Sequence, residues 1–449
     1  MTDFTTGSIT RQLLLFSLPM LLGNLFQQVY SMVDVIVVGR FVSGSALAAV
    51  GVATYVSNFL LAVLIGLTTG ASVLVSQYYG AKQYQNVTRT VSTSIIFLTA
   101  LSIVITILGI VFAPLLMRLL NATPDVIDDA VLYLRVVMIG MIFTIFFNMY
   151  TAYLRALGNS RGPLYILIIC TFVNIALDLF FVLFFGMGVF GVALATVIAQ
   201  GISALLCFFY SKKQAPLLDV SSLHFDSSQM RLILKYGFPA AIQLSLVSMA
   251  QLSITRLINS FGTAAMAGIT AAAKIDQIAI LPVSNFAMAL STFVGQNIGA
   301  SQEDRARKGL RSALVFMILL SVLISGILFV FAPQLITSFL GEGDTHASNI
   351  ILVGKNYLHI IVLFYFLFAI LFAFNGFFRG SGDAVMAMIF PVASLAIRTL
   401  AAYMLVHFAG MGPEALAWSV SIGWGLTGFA SVIYYKTNKW RGKGIKRTL

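Results

Sequence analysis

Six ionisable side chains fall inside long apolar stretches: Asp34, Asp178, Arg256, Lys274, Asp276 and Arg398. If those stretches cross a bilayer, each such group costs roughly 2.5–3.5 kcal/mol on insertion scales, which makes each a functional candidate. Asp34 and Asp178 fall in the outer parts of their stretches, roughly 6 Å and 12 Å below the external ends at 1.5 Å per residue. Asn174 precedes Asp178 by four residues and so shares its helical face. Thr196, in the next stretch, falls at roughly 9 Å by the same count. Two carboxylates with amide and hydroxyl oxygens suit a hard monovalent cation or shared protons, because crowded carboxylates in a low dielectric cannot all stay charged. Polar contacts between helices are the plainer alternative.

Asp276 and Arg398 both lie about 16–18 Å from the outer surface. A structural ion pair, with Lys274 as a further member, is the expectation there. Arg256 lies near a helix end and is expected to extend its head group outward. Elsewhere the chemistry is sparse. GNSRG at 158–162 fits a hydrolase nucleophile pattern, but it joins two apolar stretches with no strand before it. No Walker A sequence, H-E-x-x-H or paired histidine ligands occur, and Cys170 and Cys207 lie inside apolar runs. Neither an enzyme, a metal centre beyond Na⁺ at the acidic site, nor a bound cofactor is indicated. Energy for any transport then comes from an ion gradient, worth ~2.3 kcal/mol per charge per 100 mV.

The elements that position these groups follow from composition. Of 449 residues, 59% are hydrophobic and 9% charged, with a mean hydropathy of +0.96. A soluble domain carries about a quarter charged residues, so most of this surface must face lipid. With no water in the hydrocarbon core, spanning segments of about 20 residues must be helices. Spans are expected near 12–39, 46–76, 90–116, 130–154, 162–186 and 190–211. After a polar connector they resume near 232–259, 264–296, 312–336, 352–377, 384–409 and 414–435. The expected fold is therefore all-α, with twelve transmembrane helices in two pseudo-symmetric six-helix bundles. The bundles cover 1–211 and 231–435, joined by a cytoplasmic linker at 212–230 and followed by a basic tail at 436–449.

The net charge of +12 does not indicate a nucleic-acid partner. Most Lys and Arg sit on alternate connections, including Lys82, Arg89, Arg161, Lys212, Arg305, Lys308 and the tail, while Asp125, Asp128, Asp129 and Glu414 mark the opposite side. By the positive-inside rule both termini are cytoplasmic. The basic tail suits lipid headgroups.

The two halves also repeat. FSLPM at 16–20 matches YGFPA at 236–240, SQYYGAKQ at 76–83 matches GQNIGASQ at 295–302, LRALG at 154–158 matches FRGSG at 378–382, and GMG at 186–188 recurs at 410–412. Six spans per repeat preserve orientation, so this is a parallel duplication, an architecture of transporters. Asp34, Asn174 and Asp178 have no acidic or amide equivalents in the second half.

Over essentially its full length the chain resembles the multidrug and toxic compound extrusion (MATE) transporters. The features are LPMLLGNLFQQVYSMVDVIVVGR, ALAAVGVAT, the paired SQYYGAKQ and GQNIGASQ motifs, LRALGNSRGPL, NIALDLFFV with GVFGVALAT, and KIDQIAILP. The resemblance implies two six-helix bundles that open alternately to each side of the plasma membrane. It further implies export of small amphipathic, often cationic, organic compounds in exchange for Na⁺ or H⁺; a monomer is expected. The pattern is closest to the DinF-like branch, in which Asp34, Asn174, Asp178 and Thr196 match cation-binding positions and Pro19 matches a bending proline. The NorM-like branch places acids in the seventh and tenth spans, where this chain has none. A flippase for a lipid-linked saccharide shares the duplicated plan, but its cavity calls for cationic residues where the first half offers acids.

Overall fold

The computed structural model describes residues 2–219, 223–339 and 347–445, with side chains throughout except at 249–253 and 256. Part of the expected linker (220–222), the end of the tail (446–449) and the side chain of Arg256 lie outside the described residues.

The first six expected spans are α1 (Ile9–Phe41), α2 (Gly44–Gly80), α3 (Tyr84–Leu119), α4 (Ile127–Ala156), α5 (Arg161–Leu179) and α6 (Gly188–Gln214). The second six are α7 (Ser227–Asn259), α8 (Thr263–Ala279) with α9 (Leu281–Gly299), α10 (Glu303–Thr337), α11 (Ala347–Val362) with α12 (Tyr365–Ser381), α13 (Ala384–His407) and α14 (Ala415–Lys436). Among the described residues ten helices are long and apolar enough to cross a membrane, and α11 with α12, bent by 52°, makes an eleventh. Helix α7, with 33 residues, is long enough to complete the twelve. The chain is a multi-pass membrane protein.

In the second half one span is broken, α11 with α12, and another, α8 with α9, departs from helix at the single residue Ile280. Pro282 opens α9, and a proline there has no N–H to continue α8 and clashes with the preceding turn. Between α11 and α12 no proline intervenes; the freed Val362 carbonyl accepts a hydrogen bond from Ser325 Oγ on α10. That side chain satisfies a group that lipid could not.

The sequence repeats encode repeated helix ends. After α2, Ala81, Lys82 and Gln83 donate backbone N–H groups to the carbonyls of Gln77, Tyr79 and Tyr78. After α9, Ala300, Ser301 and Gln302 donate to Gln296, Ile298 and Asn297, the same pattern 219 positions on. Lys82 and Ser301 both adopt left-handed backbone, at φ 59° and 62°. The second matched motif behaves alike: Gly158 and Gly382 close α4 and α12 at φ 84° and 90°, where a glycine carries no steric cost.

Contacts divide the chain into two compact units. Unit 1 is residues 1–3 with 15–242, and unit 2 is residues 4–14 with 243–449. Within unit 1, α4 packs against α2, α3 and α6, and the first half of α7 crosses α2 at Gly66 and Gly70. Within unit 2, α9 lies along α12 and α13 along α14. There the N-terminal segment is held by the second copy of the paired motif. Phe4 N–H donates to Gln296 Oε1 at 3.1 Å, and Asn297 Nδ2 donates to the Phe4 carbonyl at 3.1 Å. Arg305 adds bonds to the carbonyls of Phe4, Thr6 and Gly7.

Candidate functional site

Asp34, Asn174 and Asp178 meet inside unit 1. Asp34 stands two turns before the end of α1, and Asn174 and Asp178 occupy one face of the last turns of α5. Asn174 and Asp178 are fully buried and Asp34 is 8% exposed. The Asn174 amide lies between the acids, one terminal atom 3.0 Å from Asp34 Oδ1 and 3.2 Å from Asp178 Oδ2. Only the orientation that aims the NH₂ at both carboxylates satisfies the group. The two carboxyl groups are also in hydrogen-bonding contact with each other. Asp178 Oδ1 has no protein hydrogen-bond partner.

The backbone changes character immediately after Asp178, where Phe180–Phe184 forms a π-helical turn. Such turns insert an extra residue into a helix and recur at functional sites. Two buried carboxylates with one shared amide cannot both remain charged without a counter-ion. A proton or a small cation is what the arrangement can take up.

Thr196 on α6 joins through a residue the sequence reading missed. Its hydroxyl donates back to the Val192 carbonyl at 3.0 Å, and it lies beside the Tyr30 hydroxyl. Tyr30 lies one turn before Asp34, so the i, i+4 spacing could have identified it. Tyr133 on α4 was also missed. It approaches Asp34 and Asp178 and lies beside Thr54 on α2. No sequence spacing relates Tyr133 to either acid, because only packing brings α4 to α1. These groups surround a cavity of about 410 Å³ whose walls include Pro19, Tyr30, Asp34, Tyr133 and Thr196, with Arg155 at its far end on α4. Pro19 interrupts the hydrogen bonds of α1 roughly 22 Å along the helix from Asp34. Among the described residues no group of three or more His, Cys, Asp or Glu is arranged to hold a metal, and both cysteines are free.

The expected ion pair in unit 2 is not formed. No nitrogen of Arg398 or Lys274 lies within 4.0 Å of the Asp276 carboxylate. Instead Tyr365 Oη donates to Asp276 Oδ1 at 2.6 Å. Arg398 acts on Asp276 only as a nearby charge. Lys274 is exposed, because residues two apart on a helix face different ways.

A protein-family model, MatE, matches residues 19–180 and 239–404, one copy in each half. The "Probable multidrug resistance protein YpnP" of Bacillus subtilis (strain 168) is 28% identical over 441 residues, covering 98% of this chain and 97% of that protein. The "Probable multidrug resistance protein NorM" of Thermotoga maritima is 27% identical over 416 residues, covering 90% and 87%. Among solved structures, an outward-facing conformation of a multidrug resistance MATE family transporter of the MOP superfamily superposes with a TM-score of 0.90 at 21% identity, covering 97% of both chains. A MATE in the bent conformation gives 0.90 at 22% identity, covering 97% of this chain and 96% of that one. The fold is the same.

Proposed function

The chain belongs to the MatE family of transporters, and from that premise we propose that it is a cation-coupled antiporter exporting amphipathic, often cationic, organic compounds. Asp34, Asn174, Asp178 and Thr196 are its coupling site, with Tyr30 and Tyr133 completing the shell. The observation that carries this reading is the bridge from Asn174 to both carboxylates inside unit 1. The asymmetry between repeats supports it, since a packing role common to both halves would recur at Arg398 and Ala402, the counterparts of Asn174 and Asp178. The names of the relatives support organic substrates.

In this mechanism Na⁺ or H⁺ enters from outside and neutralises the two acids. Neutralisation removes their repulsion and lets α1 bend where Pro19 has already broken its hydrogen bonds. The cavity walled by α1 then shrinks and expels its organic occupant, and the ion leaves inward. The protein works as a monomer in the plasma membrane with both termini cytoplasmic, and the acid placement is that of the DinF-like branch.

The test is ethidium efflux from proteoliposomes carrying wild type, Asp34→Asn or Asp178→Asn, with Na⁺ and pH gradients imposed separately. Antiport predicts gradient-driven efflux in wild type and its loss in both variants, and the effective gradient names the ion. Efflux that is equal in all three would remove these acids from the mechanism.

A further inference from the structure

Each repeat carries an arginine at the end of its fourth span, and the two meet different surroundings. Arg379, in the FRGSG motif of unit 2, donates to Asn375 Oδ1 at 3.2 Å and to Gln243 Oε1 at 3.4 Å. Both amide residues are buried. Arg155 is its counterpart in the LRALG motif of unit 1, and neither amide recurs there. Thr151 holds the position of Asn375, and Gly23 holds that of Gln243, four residues after the repeated proline. A hydroxyl and a bare backbone thus stand where unit 2 has two carboxamides. The unit 1 cavity of about 410 Å³ reaches that spot, for Gly23, Thr151 and Arg155 all line it.

Topology alone does not explain this cation. Lys82 and Arg161, basic residues of neighbouring connections, are exposed, whereas Arg155 is half-buried and faces the cavity. A charge kept partly out of water costs stability, and the position is explained if a ligand's anion uses it. Asp34 and Arg155 are the only charged residues in the cavity wall among the described residues. They stand at opposite ends. Tyr133, near Asp34, precedes Arg155 on α4 by 22 residues, roughly 33 Å along the axis. A small occupant therefore meets one charge or the other. Between them the wall mixes apolar Leu61, Met141 and Phe147 with the amides of Gln27 and Asn148.

We propose that Arg155 is the substrate-anion group of this cavity, and that the cavity takes amphipathic compounds whose polar end is a carboxylate. A guanidinium presents paired N–H donors that match the two oxygens of a carboxylate. The apolar wall takes the body of the compound. The coupling cation takes Asp34 at the other end, so ion and acid share one cavity without competing for one group. This inference names the substrate class of the cavity described above and rests on the transporter reading.

Dansylglycine and its methyl ester share one ring and differ only in the acid. Each is titrated by dansyl emission against the purified full-length protein in nanodiscs, with empty nanodiscs subtracted, and ethidium is titrated alongside. Wild type is expected to bind dansylglycine at least tenfold more tightly than the ester, the scale of one charge-assisted hydrogen bond. Arg155→Gln brings the two within about twofold of each other. Gly23→Gln returns the acceptor of unit 2 and removes the preference with Arg155 still in place. A Cβ at Gly23 meets only Leu167 and Leu164 side-chain atoms, at 3.6 and 3.9 Å, so α1 accepts it. Gly23→Leu, of similar size but without an acceptor, weakens both ligands alike and keeps their ratio. Equal affinities in a wild type that still binds ethidium, or a preference that survives Arg155→Gln, overturns this inference alone. Should Arg155→Gln not fold, equal ratios in Gly23→Gln and Gly23→Leu overturn it. A wild type that binds none of the three compounds overturns it together with the transporter reading.

Discussion

The amide of Asn174 on α5 meets the carboxylate of Asp34 on α1 at 3.0 Å, while also reaching Asp178 on its own helix at 3.2 Å. One neutral side chain thus fixes the spacing of two acids. Asn174→Ala leaves both carboxylates buried without that donor, a loss of about 1–3 kcal/mol for an unsatisfied buried group. Gradient-driven efflux should fall at least ~10-fold, the equivalent of 1.4 kcal/mol, while the purified protein stays monodisperse. Efflux at the wild-type rate would mean that the amide does not set the site.

Tyr30 and Thr196 supply the neutral oxygens. Their contact links α1 to α6 beside Asp34. Tyr30→Phe and Thr196→Ala should each weaken cation binding several-fold without removing the charged groups, about 1 kcal/mol for one neutral hydrogen bond. The expected signature is a raised half-saturating cation concentration for efflux with the maximal rate retained. A lowered maximal rate with unchanged half-saturation would place them in the conformational step instead.

Much of this arrangement was legible in the sequence, for reasons that particular residues make plain. The spans could be read because lipid forces every apolar block into a helix, and the repeated motifs because both end their helices with one hydrogen-bond pattern, at Lys82 and at Ser301. Asn174 and Asp178 could be paired by their four-residue spacing. Tyr133 could not, since its approach to Asp34 depends on how α4 packs. The pairing of Asp276 with Arg398 misled because charge alone was counted. A tyrosine on a different span, placed by a break that no proline announces, offers the carboxylate a shorter bond.

Pro19 leaves the Leu15 carbonyl of α1 without its usual helical donor. Pro19→Ala restores that donor and should hold the helix straight. Cation binding measured at equilibrium should then stay within about twofold, while turnover falls ~10-fold or more if bending is the step that empties the cavity. Loss of binding and turnover together would show that the proline shapes the site rather than its motion.

Gly66 on α2 tests the packing that carries the site. A Cβ there would lie 2.2 Å from the Ala241 Cα and 2.3 Å from its nitrogen, both backbone atoms of α7 that cannot rotate away. Small residues at such crossings let two helices approach closely where lipid supplies no hydrophobic drive. Gly66→Leu must push α7 off α2, and overpacking of this kind costs about 1–3 kcal/mol or more. Gly51, on the same helix, has no atom within 4 Å of its Cβ position, and alanine favours a helix over glycine by about 1 kcal/mol. Thermal unfolding followed by size-exclusion chromatography should therefore show Gly66→Leu melting well below wild type and Gly51→Ala at or above it. Equal melting of the two would mean that the α2–α7 crossing is not a rigid contact of unit 1.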